Sequence, residues 1–452
     1  MEYIMAYGYM GKNCMKALAG AMLLGMVTLA SAAHAGTTLV GGGSTLPALG
    51  YAGDVTDRQI TPVTGSLLAV YSSQTGNPQT SYCQTGSGAG KNILAGVTVH
   101  TVTGPIVYNV QSACPDGAPT PIGFGAPAVS RTDLTQPNFV GTDSPLSFTD
   151  YNNYTTNRPS SKPIQFPVLA GSIALQFNKA NVDSLALTDA LICKIFSGQI
   201  IDWGDSQLTA AGVPVGVSGP INVVYRSDDS GTTFGFSNHL AAVCGGTASV
   251  HFVTDQAFTK VISLYKSTIP SNWIGQSGNA NVVNMVLATD GTIAYAETAN
   301  VLNVLGQYAT VNGFDPAADL SNTVTISNSS MVYNSVINGA DATTGKAIVT
   351  AISPTPSTSC IVLVQPSAYA IQSSGYPIVA VSYLLGNSNG NGTDAANIRK
   401  LLGAPYNSTI TNAVTTIGNN SIATTGLAFL NVDLTSSTYA TNQARINACV
   451  AN

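Results

Sequence analysis

The chain is expected to fold as an α/β protein with more than one core, and three observations carry that expectation. Short runs rich in β-branched and aromatic residues recur along it, segments with apolar residues at helical spacing lie between them, and 452 residues at 44% hydrophobic content are ample for two domains. The runs 106–108, 221–225, 292–295 and 361–364 read as buried strands. A helix is expected over 185–196, where Leu187, Leu191, Ile195 and Phe196 share one face and Gly198 follows as a stop. Another is expected over 233–243, with Phe236, Leu240 and Val243 on one face. The polar segments 143–167 and 338–359 are expected to be surface loops or lobe-crossing segments.

Composition excludes several classes. Charged residues make up only 8% of the chain, yet after the N-terminal region no run reaches the roughly 18 to 20 apolar residues of a spanning helix, so a polytopic membrane protein is excluded. Disorder goes with low hydrophobicity and high net charge, whereas this chain is apolar and carries −5. With a pI of about 5.2, 16 Lys+Arg and no basic run, nothing equips it to bind nucleic acid by bulk charge.

Residues 1–35 read as a signal peptide, because Met15-Lys16 opens a short positive region, residues 17–33 are apolar and Ala33-His34-Ala35 places small residues for cleavage before Gly36. Residues 1–14 look like a start-site extension, since a signal beginning at Met15 is already complete. The mature chain is then expected to be periplasmic or secreted, with no membrane span. Its cysteines are Cys83, Cys114, Cys193, Cys244, Cys360 and Cys449; an even number in an exported protein reads as three disulfides, with about 15 pairings open. They do fall in sequence as neighbouring pairs. No Cys/His spacing suits zinc and the histidines are scattered, so no metal or other cofactor is expected.

Three Gly/Ser/Thr clusters each precede a helical pattern: Gly41-Gly42-Gly43-Ser44-Thr45-Leu46-Pro47, Gly86-Ser87-Gly88-Ala89-Gly90-Lys91, and Tyr225-Arg226-Ser227-Asp228-Asp229-Ser230-Gly231-Thr232-Thr233. Glycines let backbone N–H groups converge, hydroxyls donate, and the positive end of a helix dipole favours negative charge. Arg226 adds a fork-shaped donor for two oxygens of one oxyanion, and Asp228, two residues on in an extended segment, is placed to orient it. The same clusters are also ordinary turns and caps, and it is their combination with Arg226 that favours an anion site. The second cluster is not a Walker A loop, because Thr85 and Asn92 stand where Gly and Ser or Thr are required, and its Gly spacing departs from the dinucleotide fingerprint.

These motifs, together with residues 187–203, 167–172 (Pro-Val-Leu-Ala-Gly-Ser) and Ala294-Tyr295-Ala296-Glu297, resemble the phosphate-binding proteins of ABC uptake systems, the first cluster being most similar to their secreted DING-type branch. The matches run from about residue 40 to about residue 385. The resemblance implies a two-lobed periplasmic binding protein fold with the ligand in the inter-lobe cleft, residues 36–166 plus 366–452 forming the first lobe and 167–365 the second. It implies capture of inorganic phosphate for uptake or scavenging, with an ABC transporter membrane complex as partner and no reaction catalysed. Residue by residue, it places Thr45, Leu46 and Ser87 on the phosphate from one lobe and Arg226, Ser230, Gly231 and Thr232 from the other, and it favours a Cys193–Cys244 disulfide.

One departure is expected. The family carries an Asp in a Gly-Ala-Ser-Asp-Ala-like turn, and Phe124-Gly125-Ala126-Pro127-Ala128 lacks it, which would leave a cage of donors only and weaken discrimination against sulfate, unless Asp133 swings in. Two other functions compete: a secreted phosphatase acting on phosphate monoesters on the same scaffold, since some DING-like proteins have reported phosphatase activity, and an extracellular interaction protein that has kept the fold.

Overall fold

The structure is a computed structural model, and it describes residues 37–452 apart from 57–58, 103, 116–120, 321–325, 373 and 418–424. The expected signal peptide and its cleavage site lie outside the described residues. A mixed sheet of twelve strands runs through the described molecule. Its main strands are β1 (Leu39–Gly43), β2 (Thr80–Gln84), β3 (Phe139–Thr142), β4 (Pro163–Asn178), β5 (Asn222–Arg226), β6 (Ile274–Gln276), β7 (Thr292–Glu297) and β8 (Val379–Asn387). They lie in the order β6-β5-β7-β4-β8-β3-β1-β2.

Two parallel groups therefore flank an antiparallel centre. On one side β1 pairs in parallel with β2 and β3; on the other β5 pairs in parallel with β6 and β7. Between them β4, 16 residues long, pairs antiparallel with β8 up to Ser172 and with β7 from Ile173 onward, so one strand belongs to both halves. The lobe boundary expected between residues 166 and 167 falls within this continuous strand. Segment 331–364 lies against the first half, where Gln165 N donates to Cys360 O at 2.9 Å and Ile337 N to Leu146 O at 2.9 Å.

The helices that matter for the site start just beyond strand ends: α1 (Ala48–Ala52), α2 (Ser87–Ala95), α3 (Phe148–Asn157), α4 (Asp189–Phe196), α5 (Gly231–Val243) and α6 (Asn279–Ala288). β4 and β8 are buried almost throughout, as strands covered on both faces must be. A second, smaller core forms where Val282, Val283 and Val286 of α6 meet Val224, Ala294 and Ala296. Phe196, Phe236, Phe258 and Tyr295 pack together on the opposite face of β7, with Phe236 stacked on Tyr295 at 4.6 Å and Phe196 edge-on to Phe236.

Three disulfides staple the described residues. Cys83–Cys114, Cys193–Cys244 and Cys360–Cys449 have Cα separations of 6.0, 5.4 and 5.5 Å. Cys193–Cys244 joins α4 to the end of α5, and Cys360–Cys449 ties the C-terminal helix Asn442–Cys449 to the segment entering the strand Val362–Val364.

Four local expectations need correction. Residues 106–107 close an exposed hairpin, Thr98–Thr101 with Gly104–Val107, instead of a buried strand. Segment 143–167 is not a loop: it holds α3, nucleated by a capping box in which Ser147 and Asp150 satisfy one another's backbone N–H, and then enters β4. Only Tyr154 of α3 is fully buried, so no apolar stripe advertised the helix. Residues 335–351 form a second hairpin, Ser335–Ala340 with Ala347–Ala351. The helix expected from residue 185 starts at Asp189, because Ala186–Leu187 pairs as a strand and Thr188 caps the helix.

Candidate functional site

Ligands of open α/β sheets bind beyond the carboxyl ends of the parallel strands. Here both parallel groups deliver their polar residues at those ends. β1 leads into Ser44-Thr45-Leu46, β2 into Ser87, β3 into Asp143, β5 into Asp228 to Thr232, and β6 into Asn279. All seven residues expected at the anion, and Asp228, converge here; Thr45 is 5% exposed and Arg226, Ser87 and Thr232 are 1% exposed.

Arg226 leaves β5 with its backbone N–H on the Tyr295 hydroxyl at 3.2 Å. Its Nε and Nη2 donate to the two carboxylate oxygens of Asp228 at 2.7 and 2.5 Å, a fork-on-fork pair that fixes the plane of the guanidinium. Nη1 points the other way, to Asn279 Oδ1 at 3.2 Å, Thr232 Oγ1 at 3.4 Å and Thr45 Oγ1 at 3.5 Å. Burial alone would discharge both partners, but their mutual attraction holds the Asp228 carboxyl below its ordinary value and the guanidinium above its own.

The start of α5 supplies the next donors. Ser230 caps it, its hydroxyl accepting from Thr233 N at 3.2 Å, while the N–H groups of Gly231 and Thr232 have no partner within the helix. Gly231 sits where a Cβ would come within 2.5 Å of both Asp143 Cβ and Ser87 Oγ, so only glycine lets α5 approach the first half this closely. On that side Ser87 Oγ accepts from Asp143 N at 3.0 Å, and Gly86, at φ +88°, starts α2 without a side chain in the way of Asp228.

Asp143 is the residue that sequence reasoning missed. It is fully buried, Ser44 Oγ donates to its Oδ2, and its Oδ1 has no hydrogen-bond partner among the described residues. Burial pushes its carboxyl up to about 7, against the opposing pull of the Arg226 charge. The site is therefore not a cage of donors only. Its sequence, Gly141-Thr142-Asp143-Ser144-Pro145, fits the expected Gly-Ala-Ser-Asp-Ala-like turn better than the turn at Gly125, but it stood at the head of a segment dismissed as polar loop. The Gly125 turn belongs elsewhere: Ala126–Val129 is a single 3-10 turn leading to Arg131, whose guanidinium is divided between Asp133 and Asp394. Asp133, 64% exposed and held low by Arg131, is no substitute.

Asn279 was also missed. Gln276-Ser277-Gly278-Asn279 repeats the strand, glycine, helix-start arrangement of the other clusters, and Asn279 Nδ2 donates to Thr45 Oγ1 at 3.0 Å and to Thr232 Oγ1 at 3.3 Å. Lys91, in contrast, points away from the cluster, in an ion pair with Asp150 at 2.7 Å.

Comparison with known proteins agrees with this geometry. A family model described as the PBP superfamily domain matches residues 44–397. A protein named alkaline phosphatase L from Pseudomonas aeruginosa is 31% identical over 280 residues, covering 61% of this chain and 67% of its own. Phosphate-binding protein PstS 3 of Mycobacterium leprae is 32% identical over 176 residues, which is 39% of this chain and 44% of that protein, so the match spans less than half its length. Among solved structures, a phosphate-binding protein from Stenotrophomonas maltophilia superposes with a TM-score of 0.56 at 25% identity, over 84% of this chain and 86% of its own. A high affinity periplasmic phosphate-binding protein named PfluDING, solved with phosphate bound, gives a TM-score of 0.58 over 92% of this chain and 99% of its own; at 22% identity this likeness speaks to fold alone.

Proposed function

The chain belongs to the PBP superfamily, and from that premise we propose that it is an exported, non-catalytic phosphate-binding protein of the DING-like type, which captures inorganic phosphate between its two halves for uptake or scavenging. The observation that carries this is the composition of the buried cluster: one guanidinium, the free N–H groups at a helix start, several hydroxyls, and one buried carboxylate with an unpartnered oxygen. Donors alone would hold any tetrahedral oxyanion. A carboxylate among them is useful only to a ligand that still carries a proton, which phosphate does near neutral pH and sulfate does not.

In this reading Thr45, Leu46, Ser87, Ser230, Gly231 and Thr232 donate to phosphate oxygens, Arg226 grips two of them, Asp228 orients Arg226, and Asp143 accepts from the phosphate hydroxyl. Asn279 holds Thr45 and Thr232 in register. Periplasmic or extracellular residence and delivery to an ABC-type transporter are part of the same proposal; no helix among the described residues is long and apolar enough to cross a membrane. Calorimetric titration of phosphate into phosphate-stripped protein tests the proposal: one site per chain is expected, and no heat at any phosphate concentration would refute it. The relative named as a phosphatase makes turnover a second reading. Release of phenolate from a chromogenic phosphate monoester, lost in an Arg226→Ala variant, would establish it; phosphate binding without turnover leaves the binding role alone.

A further inference from the structure

Beside the cage, outside the residues assigned to phosphate, a second polar connection crosses between the two halves. Ser144, next to Asp143, is buried, and its hydroxyl accepts from the Lys91 ammonium at 3.3 Å while donating to Gln256 Oε1 at 2.8 Å. Lys91 is itself fixed by Asp150 at 2.7 Å, and Asp150 is the acidic member of the box that caps α3. On the far side Gln256 O accepts from Ser230 N at 3.1 Å, and its neighbour Asp255 exchanges hydrogen bonds with Ser237 of α5, each at 3.1 Å. The path Asp150, Lys91, Ser144, Gln256, Ser230 thus joins the α2 and α3 side to the cap of the anion-binding helix. Both ends are anchored in rigid elements, and the ammonium polarises the Ser144 hydroxyl, which strengthens its donation to Gln256.

We propose that the Ser144–Gln256 hydrogen bond is a latch: it forms when the halves close, holds Asp143 and Ser230 at their mutual distance, and sets how long the ligand stays. Gln256 is in this sense a positioning residue that touches no ligand. The inference rests on the oxyanion reading above. Because the bond exists only in the closed state, its loss falls on dissociation and spares association.

The test is stopped-flow phosphate release from wild type, Ser144→Ala, Gln256→Ala and the double variant, with thermal unfolding of the ligand-free proteins beside it. One exposed-to-buried hydrogen bond corresponds to dissociation about threefold to tenfold faster in each single variant. The double variant should release no faster than the faster single one, since both remove the same bond, and ligand-free Gln256→Ala should melt where wild type does, whereas Ser144→Ala also gives up its contact with Lys91 and should melt lower. Release at the wild-type rate in Gln256→Ala, or single effects that multiply in the double variant, would overturn the latch. Failure of wild type to bind phosphate would instead strike the oxyanion reading. The latch falls with that reading, because what it is argued to set is how long that ligand stays.

Discussion

Taking a guanidinium out of water costs several kcal/mol unless its donors are met, and at Arg226 the meeting is asymmetric. Asp228 takes the Nε and Nη2 face, while Nη1 is left to two hydroxyls and an amide oxygen. That weaker face is the one an oxyanion improves. Charge-assisted hydrogen bonds contribute about 1.5 to 3 kcal/mol each, so Arg226→Ala should weaken phosphate binding by roughly two to four orders of magnitude in calorimetry. Arg226→Lys keeps the charge without the fork and should fall between. Unchanged affinity in the Ala variant would remove the helix-start cluster from the site. Asp143 decides selectivity. Above about 7 its carboxyl is ionised, accepts from the phosphate hydroxyl and repels sulfate; below that it is protonated and becomes a donor that sulfate can use. Sulfate competition should therefore be weak near pH 8 and grow as pH falls through about 7, whereas Asp143→Asn, whose amide donates at every pH, should admit sulfate throughout. Equal exclusion of sulfate by both proteins would show that the carboxylate plays no part.

At the scale of elements, what positions the site is the recurrence of one unit, a buried parallel strand followed by glycine and a helix start. That unit was legible. The clusters at 41–47, 86–91 and 225–233 announce themselves because Gly and hydroxyl residues interrupt apolar runs, and the strand at 221–225 and helix at 233–243 appear within two residues of their expected bounds, as Asn222–Arg226 and Gly231–Val243. What was not legible depends on partners far away in sequence. Asp143 looks like any polar loop residue until β3 is laid beside β1; α3 has a cap but no apolar stripe; and β4 conceals its double membership because both halves of it are mostly apolar with only scattered polar residues. Gly231 shows how tightly two such units meet. Gly231→Ala would put a methyl within 2.5 Å of Asp143 Cβ and Ser87 Oγ, so α5 must retreat from α2. Phosphate affinity is expected to fall at least about tenfold, with most of the change in dissociation, because a shift of even ~1 Å misaligns donors supplied by both halves. Wild-type affinity in that variant would mean that the two helix starts do not act on one ligand.

For the molecule as a whole, burying acidic groups at the strand ends has a consequence that should appear in its stability. Asp143 is raised by burial to about 7; Glu297, at the end of β7, is raised by burial and then by the Asp143 charge, and neither of its carboxyl oxygens has a hydrogen-bond partner among the described residues. In the unfolded chain both groups release their protons near pH ~4, so above that the folded state holds protons the unfolded state has given up. Their contribution is fully present below about pH 4 and declines as pH rises, the Asp143 part being exhausted near 7 and the Glu297 part continuing beyond it. Asp228 and Asp189, whose carboxyls are held low, act with the opposite sign but only in more acid solution. Phosphate-stripped protein should therefore melt higher near pH 5 than near pH 8, and saturating phosphate should add stabilisation set by its concentration relative to Kd. Asp143→Asn should reduce the slope between about 4 and 7, and adding Glu297→Gln should flatten what remains there and above. A melting temperature of the stripped wild type that climbs steadily from pH 5 to pH 8, with the same slope in the double variant, would show that neither carboxyl resists ionisation in the folded protein, and with it would fall the expectation that sulfate begins to compete only as pH drops through about 7.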